Sequence, residues 1–465
     1  MKPICALLVL ALAGAYAQTP NFAASYPPVG GLPLTSPLLK FDDTGKFHIM
    51  QIADVHYANG TNSKTENGTV LYSKCQNILP AWEKYPCSDV NSTDLMTSVL
   101  AREKPNLVVY SGDNVWYDTN VDVLAAHRAV TQPVRDSKTP YMITFGNHDC
   151  ERKPCRRDLM TEDRKSNYSL SQYGPEGVKG VGNYAYTIAG QDGRPAWAVY
   201  VFDGGAYYEF GNNSLPSAGN YSGYDFVNAA QVDWYNKTSM ALEKSQGRKI
   251  PAIAFTHIPL PEYDIAFTCA NKAGKPNPSF IDFSSSVPSG CNAENFTPAC
   301  ASATAYPNTA TLSGAGLRTK EGCEQVDLVG NHYEGVYSAN VNGGLFAAFM
   351  SRGDVKMVNV GHDHINDYCA NLMGIRLCYG GGFGYYAYGL EGWPRRSRQI
   401  VLNEDGSITT WKRLDSYGNF AKVDIESFNI AQNVVVSASN VTNDAGNVTS
   451  STIFGGRVLA GAASN

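Results

Sequence analysis

The sequence predicts an α/β protein. Apolar runs of strand length alternate with segments of helical periodicity, the pattern of sheets covered by helices. Five of the apolar runs end in short polar loops carrying Asp, Asn or His, and loops at the carboxyl ends of strands are where α/β proteins carry chemistry. With 465 residues and 43% hydrophobic content, the chain can bury a large core.

Taken in order, the first twenty residues read MKPICALLVLALAGAYAQTP. A basic start, an apolar core from Ile4 to Leu12 and the small-x-small site Ala15-Tyr16-Ala17 read as a secretory signal expected over residues 1–17, too short in its apolar core to span a membrane comfortably. Residues 18–40, rich in Pro and Gly, are expected to be an irregular lead-in to one large domain over 41–430. Phe47–Ala53 is the first expected strand, ending in Asp54-Val55-His56. Cys75 and Cys87, in the polar segment 57–92, are expected to staple a local loop. The capping signal Asn91-Ser92-Thr93-Asp94 is expected to start a helix. Leu107–Tyr110 is a strand ending in Gly112-Asp113-Asn114; a helix follows through Val121–Val130. Strand Tyr141–Phe145 then ends in Gly146-Asn147-His148-Asp149.

The second half repeats the rhythm. Ala196–Phe202 reads as a strand, Ala229–Lys244 as an amphipathic helix, and Ile250–Phe255 as a strand ending in Thr256-His257. Residues 263–325 break the alternation and hold Cys269, Cys291, Cys300 and Cys323, the composition of a disulfide-pinned insertion. Leu345–Ser351 is expected to be helical. Val355–Val360 is a buried strand, with Gly361 turning the backbone into His362-Asp363-His364. Ile375–Tyr379 leads into the run Gly380–Gly384, which lacks the Lys-Ser/Thr of a phosphate-binding P-loop. It is read as letting the backbone pass close to the site, with Tyr385, Tyr386 and Tyr388 near the cleft. Arg395, Arg396 and Arg398 are candidates for substrate anions, with a solvated basic turn as the alternative. Arg398–Leu402 and Ile408–Leu414 form a hairpin. Beyond about Asn433, residues 431–465 turn to Ser, Asn, Gly and Val and are expected to be a mobile tail.

Charged residues are 17% of the chain and the net charge is −5, so nothing in the composition points to nucleic-acid binding or a polybasic membrane patch. No other stretch is apolar enough to span a membrane. Of eleven cysteines, one (Cys5) leaves with the signal, and the remaining ten allow up to five disulfides. Ten Asn-x-Ser/Thr sequons, at Asn59, Asn67, Asn91, Asn167, Asn212, Asn220, Asn236, Asn295, Asn440 and Asn447, agree with a secretory route and a glycoprotein.

Five of the eight histidines fall in the strand-end loops. His48 and His127 are read as surface or core residues, and His332, in Gly330-Asn331-His332-Tyr333, as a substrate contact or a loop residue. Three Asp/Asn and four His form the inventory of a two-metal hydrolytic site. One carboxylate bridges ions roughly 3.5–4 Å apart, which clamp a phosphate and lower the pKa of a bound water. Imidazole-rich ligation suits zinc or iron, with manganese possible, over calcium or magnesium.

The motifs D-x-H (Asp54 to His56), G-D-N (Gly112 to Asn114), G-N-H-D (Gly146 to Asp149), an isolated His257 and G-H-x-H (Gly361 to His364) resemble the calcineurin-like metallophosphoesterases. FHIMQIADVHYANG, SGDNVW, GNHD, FTHIPLPEY, GHDHIND and LCYGGGFGYYAYG are most similar to plant purple acid phosphatase 28/29-type proteins, from about Phe41 to Leu414. The resemblance implies a two-sheet β-sandwich flanked by helices, with the metal site at the strand ends. It implies that Asp54, His56 and His364 hold one ion, that Asp113 bridges, and that Asn147, His257 and His362 hold the other. His148 would act on the leaving group as donor or general acid, with Asn147 also facing substrate, and a metal-activated hydroxide would attack in line. The alternative for His148 is orienting Asp113 or Asn147. One departure stands out: the position of the iron-binding tyrosine of purple acid phosphatases is Trp116 here, with Tyr117 one residue late. His56 is read as replacing the tyrosinate, so the protein should not be purple. The expected activity is that of a secreted phosphomonoesterase on small phosphoesters. A phosphodiesterase acting on nucleotides or lipid headgroups, or a secreted binding protein without catalysis, is the alternative.

Overall fold

The computed structural model describes residues 30–58, 74–78, 83–116, 122–151, 153–208, 223–270, 328–339, 341–415 and 420–429, with short segments at 63–64, 70–71, 80, 306–307, 434–438, 440–442 and 448–451. The signal segment, Tyr117, Cys291, Cys300, Cys323 and most of the 263–325 insertion lie outside the described residues.

Strand alternation sets the layers. In β1 (Lys46–Ile52), Phe47 and Ile49 face one side and Met50 and Ile52 the other. In β2 (Leu107–Ser111), Leu107 and Val109 likewise oppose Val108 and Tyr110. Both faces of these strands are buried, which explains why they read as unbroken apolar runs. One face meets the helices α1 (Ser88–Glu103), α2 (Val123–Asp136) and α3 (Arg156–Asp163). The other meets a second sheet, where Trp197, Val199, Ile253, Phe255 and Met357 close the inter-sheet core.

The first sheet runs through parallel β1, β2 and β3 (Tyr141–Thr144); β1 also pairs antiparallel with Arg396–Asn403, which continues through the hairpin to Ser407–Leu414 and Lys422–Asn429. The second sheet places Pro195–Val201, Ala252–Phe255, Val355–Val360 and Ile375–Tyr379 side by side and parallel. Antiparallel strands Tyr184–Ala189 and Cys369–Leu372 flank them. Its outer face is covered by Ala229–Gln246, Glu262–Ala270 and Leu345–Arg352, through Val232, Trp234, Tyr235, Phe346 and Phe349. The result is the expected two-sheet sandwich between helical layers. Among the described residues no helix is long and apolar enough to cross a membrane.

Several local expectations change. Helix α1 starts at Ser88, so Asn91 lies inside its first turn. Its amide donates to Tyr85 O (2.7 Å) and Cys87 O (2.9 Å) while accepting from Lys84 N and Tyr85 N, which pins the preceding loop. Cys75 and Cys87 are free thiols rather than a staple; Cys75 Sγ instead accepts from the Asn91 amide at 3.3 Å. Cys150–Cys155 and Cys369–Cys378 are disulfides. Asn91 and Asn236 are buried, so these two sequons are inaccessible in the fold, whereas Asn167 is exposed. The lead-in lies along the edge of Tyr184–Ala189: Leu34 exchanges backbone hydrogen bonds with Ala185 and Thr187, Ala189 N donates to Leu39 O, and Phe41 N donates to Ala189 O. Val434–Ala438, Asn440–Thr442 and Val448–Ser451, within the stretch expected to be a mobile tail, form strands at the far edge of the first sheet.

Candidate metal centre

Parallel strands bring their carboxyl ends to one edge. β1, β2 and β3 of the first sheet deliver Asp54/His56, Asp113 and Asn147/His148 there; Ala252–Phe255 and Val355–Val360 of the second deliver His257 and His362/His364. A bridge between Ala53 and Gly382, with Phe383 N donating to Ala53 O, joins the two sheets at this edge.

Two donor sets form. Asp54, His56, Asp113 and His364 offer ligand atoms within 4.8 Å of one another, and so do Asp113, His257 and His362. Asp113 belongs to both. Its Oδ2 lies 3.2 Å from His257 Nε2 and 3.6 Å from His56 Nε2, while its Oδ1 accepts the His148 backbone N–H at 2.8 Å. Asn147 joins the second set through Oδ1, 3.2 Å from His257 Nε2.

The backbone is bent to achieve this. Asp54, His56, Asp113 and His362 have φ of 56°, 48°, 49° and 78°, a left-handed conformation that non-glycine residues adopt at a cost. His362, rather than the expected Gly361, is the left-handed residue of its turn; Gly361 instead admits Asp54, whose Oδ2 would lie 3.0 Å from an added Cβ. Gly146 has no alternative either, because a Cβ there would sit 2.1 Å from Asp113 Oδ1. Gly384 passes against Val55 O, where a Cβ would sit at 1.7 Å. The expected close passage of the glycine run is therefore a property of the fold.

The chemistry of the donors fits cations. His257 Nδ1 is tied to Ser111 O (2.9 Å) and His364 Nδ1 to Tyr388 O (3.0 Å), which turns each Nε2 inward, the arrangement typical of metal-binding histidines. His56 Nε2 and His364 Nε2 face each other at 3.2 Å, close enough to serve one cation together. Burial drives His56 and His362 down to about 3 and holds His364 well below its usual range, so all three are neutral ligands near pH 7. Burial opposes a charge on His257 too, but Asp113 and Asp54 outweigh it and raise its pKa to about 9. The two carboxylates separate: burial raises Asp54, whereas His257 and its neighbouring imidazoles overcome burial at Asp113 and lower it.

His148 stands beside this cluster, its ring 5.2 Å from the ring of His56 and 5.3 Å from that of Trp116. Trp116, where purple acid phosphatases have tyrosine, packs on His56 at 5.5 Å. Tyr388 stacks on His364 at 3.8 Å and Tyr386 meets Trp116 edge-on, whereas Tyr385 turns inward to Asp415. His332 is not brought to the cluster: its ring lies flat on Phe267 at 3.4 Å, beside Tyr368. His127 is buried 3.6 Å from Asp163, and His48 bonds Gln399. The arginines are neither anion contacts nor a solvated turn. Arg395 is buried and donates to Tyr388 O, Ala387 O and Gln76 O; Arg396 pairs with Asp367, and Arg398 donates to Tyr379 O and Asp367 O.

Asp149 was visible only as the last letter of a motif. It is fully buried and accepts from Gly146 N, Asn114 N, Val115 N and Asn114 Nδ2, clamping the loops that carry Asp113 and Asn147. Tyr207 gave no signal at all; its hydroxyl accepts from Asn147 Nδ2 at 3.0 Å.

Comparison with known proteins agrees with this geometry. Residues 47–279 match the family model of the calcineurin-like phosphoesterases. A protein named probable inactive purple acid phosphatase 29 from Arabidopsis thaliana is 34% identical over 403 residues, covering 81% of this chain and 84% of that one. Probable inactive purple acid phosphatase 14 from the same plant is 31% identical over 81% of this chain and 82% of its own length. Phosphatase DCR2 of Saccharomyces cerevisiae is 28% identical over 81% of this chain and 55% of that protein. This chain belongs to the calcineurin-like phosphoesterase family.

Proposed function

We propose that the protein is a secreted, dinuclear metal-dependent phosphohydrolase acting on small phosphomonoesters. The observation that carries this reading is Asp113, whose Oδ2 is shared by two converging sets of buried donors. Asp54, His56 and His364 would hold one ion and Asn147, His257 and His362 the other, with Asp113 between. Bound there, zinc, iron or manganese ions would neutralise phosphoryl oxygens and acidify a water. The chain's own residues do the rest. Asn147 and His148 meet the substrate at the edge of the cluster, and His148 gives a proton to the leaving oxygen as its bond to phosphorus breaks. Secretion is supported by the amino-terminal segment, by the two disulfides among the described residues and by the exposed sequon at Asn167.

The names of the two plant relatives favour a second reading, a binding protein that has lost catalysis. Against it stands a donor set with no member missing. Metal analysis of native protein, followed by turnover of p-nitrophenyl phosphate and bis-p-nitrophenyl phosphate, separates the readings. Two ions with monoester turnover supports the proposal; preference for the diester makes the protein a phosphodiesterase. Two ions with no turnover of either makes it a binding protein.

A further inference from the structure

We propose that Glu151 is a positioning residue for His148, holding the proton on Nδ1 so that Nε2 is the ring atom that serves the leaving group. The proposal rests on the phosphohydrolase reading above. Glu151 Oε1 lies 2.7 Å from His148 Nδ1, approaching bent away from the ring's N–H axis. Such catalytic contacts commonly straighten only when substrate is bound. The two residues are three apart across a single 3-10 turn, His148–Cys150, and the Cys150–Cys155 disulfide begins immediately before Glu151. Local backbone therefore sets their separation.

A carboxylate only accepts hydrogen bonds, so the nitrogen facing it must carry the proton. When the bond between phosphorus and the leaving oxygen breaks, its electron pair stays on that oxygen, which takes the proton from Nε2; water supplies the oxygen that replaces it on phosphorus. The ring is left neutral with its remaining proton on Nδ1, still facing Glu151, and solvent restores Nε2–H. Without the carboxylate the ring can turn or hold its single proton on the wrong nitrogen.

The same oxygen has a second partner. Tyr207 donates its hydroxyl to Glu151 Oε1 at 3.5 Å and accepts from Asn147 Nδ2 at 3.0 Å. That leaves Asn147 Oδ1 turned toward His257 Nε2. The Asn147 amide is thus held by Tyr207, and the group that Glu151 orients is His148.

The test uses the metal-replete protein, the variants Glu151→Ala, Glu151→Gln and His148→Ala, and the double variant. An alkyl phosphate needs a protonated leaving group and p-nitrophenyl phosphate does not. Glu151→Ala should lower kcat on glycerol 2-phosphate by about 10–100-fold, the usual worth of a histidine's outer partner, and change p-nitrophenyl phosphate turnover by less than about threefold. Glu151→Gln, whose Oε1 still accepts from Nδ1–H, should recover most of the loss, and Glu151→Ala should add nothing in the His148→Ala background. Equal losses on both substrates, or costs that multiply in the double variant, overturn the proposal. Nitrogen-15 NMR of zinc-loaded, histidine-labelled protein reads the tautomer without turnover: Nδ1–H in wild type and Glu151→Gln, shifting toward Nε2–H in Glu151→Ala. An unchanged tautomer in Glu151→Ala also overturns it. If wild type hydrolyses neither phosphate, the hydrolase reading fails, while the tautomer still decides what Glu151 does.

Discussion

Asp149 offers the sharpest test of how the centre is held. Its carboxylate takes Asn114 N (3.0 Å) and Val115 N (3.1 Å) on Oδ1, and Gly146 N (2.8 Å) and Asn114 Nδ2 (3.2 Å) on Oδ2. These donors come from two different strand-end loops, so Asp149 fixes the distance between Asp113 and Asn147. Asp149→Ala strands three backbone N–H groups in a fully buried site and leaves the Asn114 amide with Thr144 O alone. Each buried donor without a partner costs about 1–3 kcal/mol, which puts the three backbone groups at about 3–9 kcal/mol. One effect works the other way. Burial and the nearby Asp113 charge hold the Asp149 pKa up at about 6, so its ionised form is kept at a cost that alanine escapes. The net loss should fall near the lower end, about 3–5 kcal/mol, accompanied by loss of metal from both sets. Asp149→Asn keeps the shape but can accept on one side only, and should lie between wild type and alanine. Urea unfolding followed by circular dichroism gives the stability, and mass spectrometry on dialysed protein gives the metal. Asp149→Ala within about 1 kcal/mol of wild type and still carrying two ions would refute the reasoning.

Asp113→Ala should lose both ions and nearly all activity, whereas His148→Ala should keep two ions and lower kcat; metal analysis beside steady-state kinetics distinguishes them. Gly146→Ala puts a Cβ 2.1 Å from Asp113 Oδ1 and 2.4 Å from Asp113 N, so metal affinity by competition with a chelator should fall about 10–100-fold. Arg395→Ala removes the donor for three carbonyls and should cost about 2–4 kcal/mol in urea unfolding, with KM for a phosphomonoester unchanged. Glu262 is buried, bonded through Oε1 to Asn342 Nδ2 at 2.9 Å, and burial pushes its pKa from the ordinary 4.5 up to about 7, so the folded state holds a proton that the unfolded chain releases first. Its contribution to stability is full below pH 4.5 and lost as pH rises through 7, about 3 kcal/mol in all, a slope that urea unfolding should show in wild type and not in Glu262→Gln.

The strand-end motifs were legible because their signal is local. A parallel strand buried on both faces admits few polar residues before it ends, so Asp54, Asp113, Asn147, His257 and His362 stand out against the mainly apolar runs before them. The layer order was legible only through the family resemblance, since periodicity says that a strand is buried and not which sheet it joins. What escaped depends on partners far along the chain. Arg396 and Arg398 look like a surface turn until Asp367 is folded against them, with Lys412 on the same carboxylate. Asn91 looks like a helix start until its amide is seen bonding backward to Tyr85 and Cys87. Tyr207 is one of 28 tyrosines, and only the fold sets its hydroxyl on Asn147.

The strained backbone bears on the choice between enzyme and binding protein. Asp54, His56, Asp113 and His362 all sit in the left-handed region, at roughly 1–3 kcal/mol for each such residue, somewhat less for Asp and His than for bulkier types. All four belong to the two donor sets, and Gly146 leaves space for Asp113, and Gly112 for His257, that no side chain could share. Stability alone would favour relaxing these turns, and relaxing any one would move a donor off the cluster. A ligand that binds only the folded state at about a thousand times its Kd returns about 4 kcal/mol, the scale of this strain. The geometry is therefore what a site maintained for bound cations requires. A scaffold free of that demand would have every reason to let His362 relax first, since its turn lies beyond the end of Val355–Val360, outside that strand's ladder pairing.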